Sequence, residues 1–273
     1  MTEQAQRYDR IAEGYARWWA PVIRPAALPV LETIAPAIEA GATRVLDVGT
    51  GTGTLAIAML QRWDAISVTA IDASSGMIAM AAAEADRLLT PVQRARLDLR
   101  VAFADDLGLS DGSIDAAVSS FVLQLVPNRF RALREVRRVL RPGGVFGWVS
   151  WLEHHAAWAP DVDFDDALED VGEEPRGWEE RPGDLEDPAS AAAQMRRAGF
   201  AAVTALAGEL VHRFDVDGYL GFMTEFDEED LIASLDPDVR QRFEAGLRRR
   251  LERRPAEELA LRLPTVTVRG GRR

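Results

Sequence analysis

The chain has 273 residues, 47% of them apolar, and its 32 basic and 44 acidic side chains give a formal charge of −12. That is globular composition, neither disordered nor fibrous. With no cysteine, no lysine and only His154, His155 and His212 as histidines, disulfides, thiolate nucleophiles, lysine Schiff bases, a lysine-bearing phosphate loop and a histidine-rich metal site are all excluded.

In chain order, residues 4–19 set Tyr8, Ile11, Ala12, Tyr15 and Trp18 or Trp19 at helical spacing, and Pro21 is expected to stop the run. A second helical pattern ends near Gly41, so residues 1–40 read as cap helices. From 41 to 151 apolar β-rich runs alternate with helical ones. Strands are expected at 44–48, 66–71, 99–103, 116–121 and 144–151, and helices at 54–63, 76–89 and 129–140. Such alternation predicts an α/β fold, a doubly wound, mostly parallel sheet with right-handed crossovers.

Beyond Trp151 the rhythm breaks. Residues 161–187 carry 13 acids against Arg176 and Arg181, a local −11, which leaves −1 for the rest of the chain. Segment 152–187 therefore reads as a solvated, proline-broken lid whose acids repel, so that added salt is expected to favour its closure. Residues 188–273 complete the sheet with a helix at 188–198, strands at 200–214 and 263–268, and a helical insertion at 215–260 rich in arginine. No run approaches the ~20 apolar residues of a membrane span. The opening residues form no apolar signal core, so a cytoplasmic location is expected.

The sharpest motif is Val45-Leu46-Asp47-Val48-Gly49-Thr50-Gly51-Thr52-Gly53, a strand entering a glycine turn and then a helix. Ligands bind at that place in a doubly wound sheet. The spacing is G-x-G-x-G, whereas the dinucleotide fingerprint is G-x-G-x-x-G, and Thr54 breaks it. Asp72 closes the next strand, where a carboxylate can accept from both hydroxyls of a ribose. Arg138-Val139-Leu140-Arg141-Pro142-Gly143-Gly144 turns from a helix into the fifth strand.

These residues resemble the class I S-adenosylmethionine-dependent methyltransferases, in particular the small-molecule branch related to quinone biosynthesis, closely over residues 8–151. The resemblance implies a Rossmann-like methyltransferase fold and S-adenosyl-L-methionine as cofactor. It implies that Gly49, Thr50, Gly51 and Gly53 hold the methionine part with Asp47 near its ammonium, and that Asp72 holds the ribose. Met77 lies against the adenine or is ordinary core. Phe103 stands where the family has an aspartate toward the adenine amine, which leaves the Ala104 amide or Asp105 to replace it. Ser120 and Phe121 border the methionine moiety, and Tyr15 belongs to a helix folding over the cofactor.

Methyl transfer from a sulfonium needs alignment and exclusion of water, and a base only where the acceptor must lose a proton. His154 and His155, just past the fifth strand, are either that base or loop residues. Gln124 is a candidate to orient an acceptor. Trp18 and Trp151, with the other tryptophans of the N-terminal helix and the lid, line either an apolar acceptor pocket or the lid's own core. A small apolar or aromatic metabolite is the expected partner. Ser119-Ser120-Phe121-Val122 lacks the Pro-Pro-aromatic motif of enzymes acting on base amines, so nucleic acid is not expected. Nothing in the sequence separates a monomer from a homodimer. Two other classes stay open: a non-catalytic cofactor-binding sensor or scaffold, and an NAD-linked reductase.

Overall fold

The computed structural model describes residues 3–154, 157–176 and 184–273. Helix α1 (Glu3–Gly14) leads into a π-helical turn, Tyr15–Trp19, and on into α2 (Ala20–Ala27). Pro21 does not end the run as expected. The Ala20 N–H bonds back to the Tyr15 carbonyl, five residues away, and the proline falls in the first turn of α2, where its missing N–H costs nothing. A 3₁₀ turn (Leu28–Thr33) and α3 (Ala35–Glu39) bring the chain to the sheet.

Then follow β1 (Arg44–Val48), α4 (Thr54–Arg62), β2 (Ser67–Asp72), α5 (Ser75–Leu88), α6 (Pro91–Arg94), β3 (Leu97–Val101), β4 (Ile114–Ser120), α7 (Arg129–Val139) and β5 (Leu140–Trp151). The third strand starts two residues earlier than expected, because it pairs Leu97 with Val68 and Val101 with Asp72. The remainder is α8 (Ala159–Asp170), α9 (Pro188–Arg197), β6 (Ala201–Arg213), α10 (Val216–Phe222), a second π-helical turn (Met223–Asp227), α11 (Glu229–Ser234), α12 (Pro237–Leu251) and β7 (Ala260–Gly271).

The seven strands form one sheet in the order β3-β2-β1-β4-β5-β7-β6, parallel except at β7, which runs antiparallel to both β5 and β6. Residues of each inner strand alternate between its two faces. Val45 and Val149 face a core shared with the N-terminal helices, α4, α10 and α12, whereas Leu46 and Trp148 face one shared with α7 and α9. At the amino end of the sheet Asp115 ties three strands together. It accepts from the backbone N–H of Thr43 (2.9 Å) and Arg44 (2.8 Å) and from Arg141 Nε (2.8 Å), and these contacts hold its carboxyl far below the usual range. The strand order reverses between β1 and β4, so the crevice for a ligand opens at the carboxyl ends of β1, β2, β4 and β5.

The acidic segment departs from expectation. Residues 159–170 are a helix, α8, packed on the arginine-rich α12. Arg250 bonds Asp166 (3.1 Å) and Asp170 (2.7 Å), and Arg254 takes both oxygens of Asp163. Arg176 bridges Asp165 (2.8 Å), Glu228 (3.2 Å) and the Asp161 carbonyl (3.0 Å), with its guanidinium over the Phe164 ring. Asp161, Asp163, Asp165, Asp166 and Asp170 are thus partnered rather than mutually repelling, which reverses the expected effect of salt on residues 159–176.

Candidate active site at the carboxyl ends of the strands

Between β1 and α4 the glycine turn is shaped by three left-handed residues, Gly49, Gly51 and Gly53 (φ +86°). Gly49 (φ +71°) lies so close to Val122 that a Cβ there would stand 2.3 Å from its methyl. Gly51 (φ +54°) faces the ring of Tyr15, whose nearest atoms would be 3.8 Å from a Cβ, so the missing side chain leaves a gap between loop and ring. Thr50 is buried. Its N–H donates to the Ile71 carbonyl (2.8 Å) and its hydroxyl to Asp47 Oδ2 (2.7 Å).

Asp47 is only 1% exposed, and its second oxygen meets no hydrogen-bond geometry; the Ala56 amide pulls on it weakly. Burial pushes its carboxyl up to about 7. Asp72, at the end of β2, accepts from the Gly51 N–H (2.9 Å) through Oδ2 and from the Ser74 N–H (3.0 Å) through Oδ1. These bonds fix the carboxylate and leave further lone pairs on both oxygens. Burial raises its pKa as well, and the nearby Asp9 adds to the shift.

The N-terminal helix closes over this edge. Asp9 Oδ1 accepts from the Ser74 hydroxyl (2.6 Å) and the Gly76 N–H (2.8 Å), fastening α1 to the first turn of α5. Tyr8 and Tyr15 meet edge to face at 5.9 Å, and burial lifts the Tyr8 hydroxyl to about 12 and that of Tyr15 further, with the Asp72 charge contributing to both. Met77 is buried in α5. Phe103, Ala104 and Asp105 form a half-buried turn after β3, closed by the Asp106 N–H on the Phe103 carbonyl (3.0 Å), with the Asp105 carboxylate 3.5 Å from Arg131.

On the other side of the crevice Ser120 ends β4, and Phe121 takes a left-handed backbone (φ +54°), an uncommon conformation for an aromatic residue. This turn stacks its ring on Trp151 with centroids 3.9 Å apart. Trp19, Phe222 and Phe226 continue this stack into an aromatic wall, all of which except Trp19 is buried in the core. Trp19 lies 6.2 Å from Trp151 and 5.3 Å from Phe222, and Tyr15 lies 5.9 Å from Phe226. Trp18, singled out from the sequence, is not part of it: its indole N–H donates to Glu225 Oε2 (2.8 Å), pinning the first π-helical turn to the second. Helical spacing offered Trp18 or Trp19; both lie half-buried against the core, and Trp19 is the one in ring contact with Trp151 and Phe222.

Gln124 accepts the buried Ser150 hydroxyl at 2.8 Å. His154 is exposed and bonded to no described residue, and His155 lies outside the described residues. Among the described residues no cluster of His, Asp or Glu has metal-binding geometry, and no helix is long and apolar enough to cross a membrane.

Comparison with known proteins agrees with this geometry. Residues 46–147 match the family model described as a methyltransferase domain. The ubiquinone/menaquinone biosynthesis C-methyltransferase UbiE of Geobacter sp. (strain M21) is 39% identical over 107 residues, 38% of this chain and 43% of that protein. The malonyl-[acyl-carrier protein] O-methyltransferase of Geobacter sulfurreducens is 37% identical over 105 residues, 38% of this chain and 37% of that protein. The chain thus spans less than half the length of either relative. Among solved structures, the YcgJ protein of Bacillus subtilis superimposes with a TM-score of 0.55 at 17% identity, covering 89% of this chain and 99% of that one. Residues 46–147 thus match a methyltransferase domain, set in a chain that shares the Rossmann-like fold of its structural neighbours.

Proposed function

We propose that the chain binds S-adenosyl-L-methionine across the ends of β1 and β2 and transfers its methyl group to a small apolar or aromatic acceptor held under the N-terminal helix. The observation that carries this reading is the fixed carboxylate of Asp72 beside a glycine turn that carries no Cβ at Gly51, where it faces the Tyr15 ring. The residues fit the cofactor. Two carboxyls, Asp47 and Asp72, are destabilised in their ionised forms by burial, so a ligand that brings an ammonium to the first and hydroxyl donors to the second relieves both.

In this reading Asp47 faces the ammonium, and Gly49, Thr50, Gly51 and Gly53 line the methionine part. Asp72 takes the ribose hydroxyls, and Met77, Phe103, Ala104 and Asp105 border the adenine. Ser120, Phe121 and Tyr15 close around the reacting end. When bound, the sulfonium supplies an electrophilic methyl carbon. The protein's work is to align the acceptor and exclude water, for which the wall of Trp19, Phe121, Trp151, Phe222 and Phe226 is suited.

Gln124, oriented by Ser150, turns its amide toward an acceptor oxygen. Where the acceptor is a hydroxyl or an acidic carbon, His154 or His155 takes its proton. The matched region is shared by relatives named as a C- and an O-methyltransferase, which supports an acceptor chosen mainly by the parts of the wall outside it, Trp19, Trp151, Phe222 and Phe226. No nucleic acid partner and a cytoplasmic location belong to the same reading.

The test is turnover with isotopically labelled methyl donor and a panel of quinones, phenols, amines and hydrophobic acids, read by product mass spectrometry. A labelled product with equimolar S-adenosylhomocysteine supports the reading. Binding of the donor without transfer to any member of the panel counts against it and favours a non-catalytic role.

A further inference from the structure

The two edges of the sheet differ in a way that a monomer does not require. At one edge β3 is 5 residues long and carries Asp98 and Arg100, ion-paired along the strand at 2.6 Å, the short and charged design that discourages strand addition. At the other, β6 runs 13 residues and, among the described residues, pairs only with β7. From Ala201 to Val211 its only ionisable residue is Glu209, and Leu206 and Val211 stand 71% and 41% exposed.

The direction of the edge amides follows from the register. Pro264, opposite Glu209, has no N–H, and its carbonyl accepts from Leu152 N (2.9 Å), on the β5 side. The backbone of Glu209 therefore points away from β7. Phe214, of opposite parity, donates to the Leu259 carbonyl within the hairpin. In an antiparallel ladder this alternation leaves Ala205, Ala207, Glu209, Val211 and Arg213 with N–H and C=O directed to the open edge.

We propose that the chain forms a two-fold dimer in which the β6 edges of two copies pair antiparallel, extending both sheets into one, with Gly208 on the axis. Edge hydrogen bonds must join odd residues to odd residues, which restricts the choice of axis. An axis at Glu209 sets that carboxylate opposite its own copy, which is unfavourable. An axis at Val211 runs the ladder into α10, which begins at Val216.

The axis at Gly208 keeps the strand from 203 to 213 in overlap. It sets Ala207 opposite Glu209, Ala205 opposite the exposed Val211 and, on the other face, the exposed Leu206 opposite Leu210. A second copy is the occupant this edge suits, because the one pairing covers apolar side chains on both faces without opposing like charges.

Sedimentation velocity of the full chain at about 1 to 100 μM, a range that spans weak and firm homodimers, tests this with charge variants at position 207. Ala207→Glu places a carboxylate opposite Glu209 and is expected to weaken the dimer at least tenfold. Ala207→Arg places an opposite charge there and is expected to keep or tighten it. Ala207→Pro removes one outward N–H and no internal bond, and is also expected to dissociate the dimer, with circular dichroism confirming that each variant folds. A parent chain that stays monomeric throughout overturns the proposal. So does a dimer that survives both Ala207→Glu and Ala207→Pro, or that responds alike to glutamate and arginine.

Discussion

Asp47 makes the stability of this protein depend on pH in a way that a single substitution isolates. Its carboxyl, raised from 3.8 to about 7 by burial, binds a proton more tightly in the folded chain than in the unfolded one. The folded state is therefore relatively favoured below about pH 4, loses that advantage as the pH rises to about 7, and carries the full cost of a buried carboxylate above it. At ~1.4 kcal/mol per pH unit the cost has a ceiling of about 4 kcal/mol. Local relaxation around the ionised group takes back part of that, which leaves about 1–2 kcal/mol to be gained by Asp47→Asn at about pH 8. Asparagine still accepts the Thr50 hydroxyl and carries no charge.

Without ligand, the variant is expected to melt about 2–6 °C above the parent at pH 8 and by less than half as much near pH 5. Differential scanning calorimetry across that range reads the difference directly, and because Asp115 and the surface pairs are common to both proteins their own titrations cancel. Under the proposed role of Asp47 toward the cofactor's ammonium, the same substitution is expected to weaken donor binding while stability rises. An equal shift at both pH values, or a variant less stable than the parent at pH 8, refutes the assignment of a strained carboxylate.

Three further outcomes are expected. Arg254→Ala leaves Asp163, 5% exposed, without its bidentate partner and is expected to cost about 2–3 kcal/mol in urea titrations; raised salt is expected to speed hydrogen exchange in residues 159–176, and slower exchange contradicts the ion-pair account. Gly51→Ala puts a methyl between the loop and Tyr15 in a left-handed position, so donor affinity is expected to fall at least tenfold by calorimetry for only ~1 kcal/mol of stability. Should the acceptor lose a proton to a histidine, replacing His154 and His155 together lowers turnover ~10² or more with unchanged donor affinity; turnover within about threefold of the parent leaves alignment alone.

Much of the core was legible in the sequence because its signals are local. A strand, a glycine turn and a helix occupy consecutive residues, and Asp72 follows at the end of the next strand. The misreadings concern partners distant in the chain. The acids of 161–170 look repulsive when counted by themselves, and their counterions, Arg250 and Arg254, are some eighty residues further on. Pro21 reads as a stop because a helical wheel contains no π-helical turn, and helical spacing leaves Trp18 and Trp19 equal candidates for the aromatic wall. Phe222 and Phe226 carried no signal at all, since α10 and the second π-helical turn reach the N-terminal helices only through tertiary packing.

The central claim is that S-adenosyl-L-methionine binds where Gly51, Tyr15 and Asp72 converge, and isothermal titration of the parent and Asp72→Ala measures it most directly. Loss of a charge-assisted, two-point contact to the ribose costs about 2–4 kcal/mol after water replaces the carboxylate. The account predicts one donor site per chain and at least tenfold weaker binding in the variant, with the thermal unfolding of the variant still cooperative. No binding to the parent, or equal affinity in a folded Asp72→Ala, contradicts it.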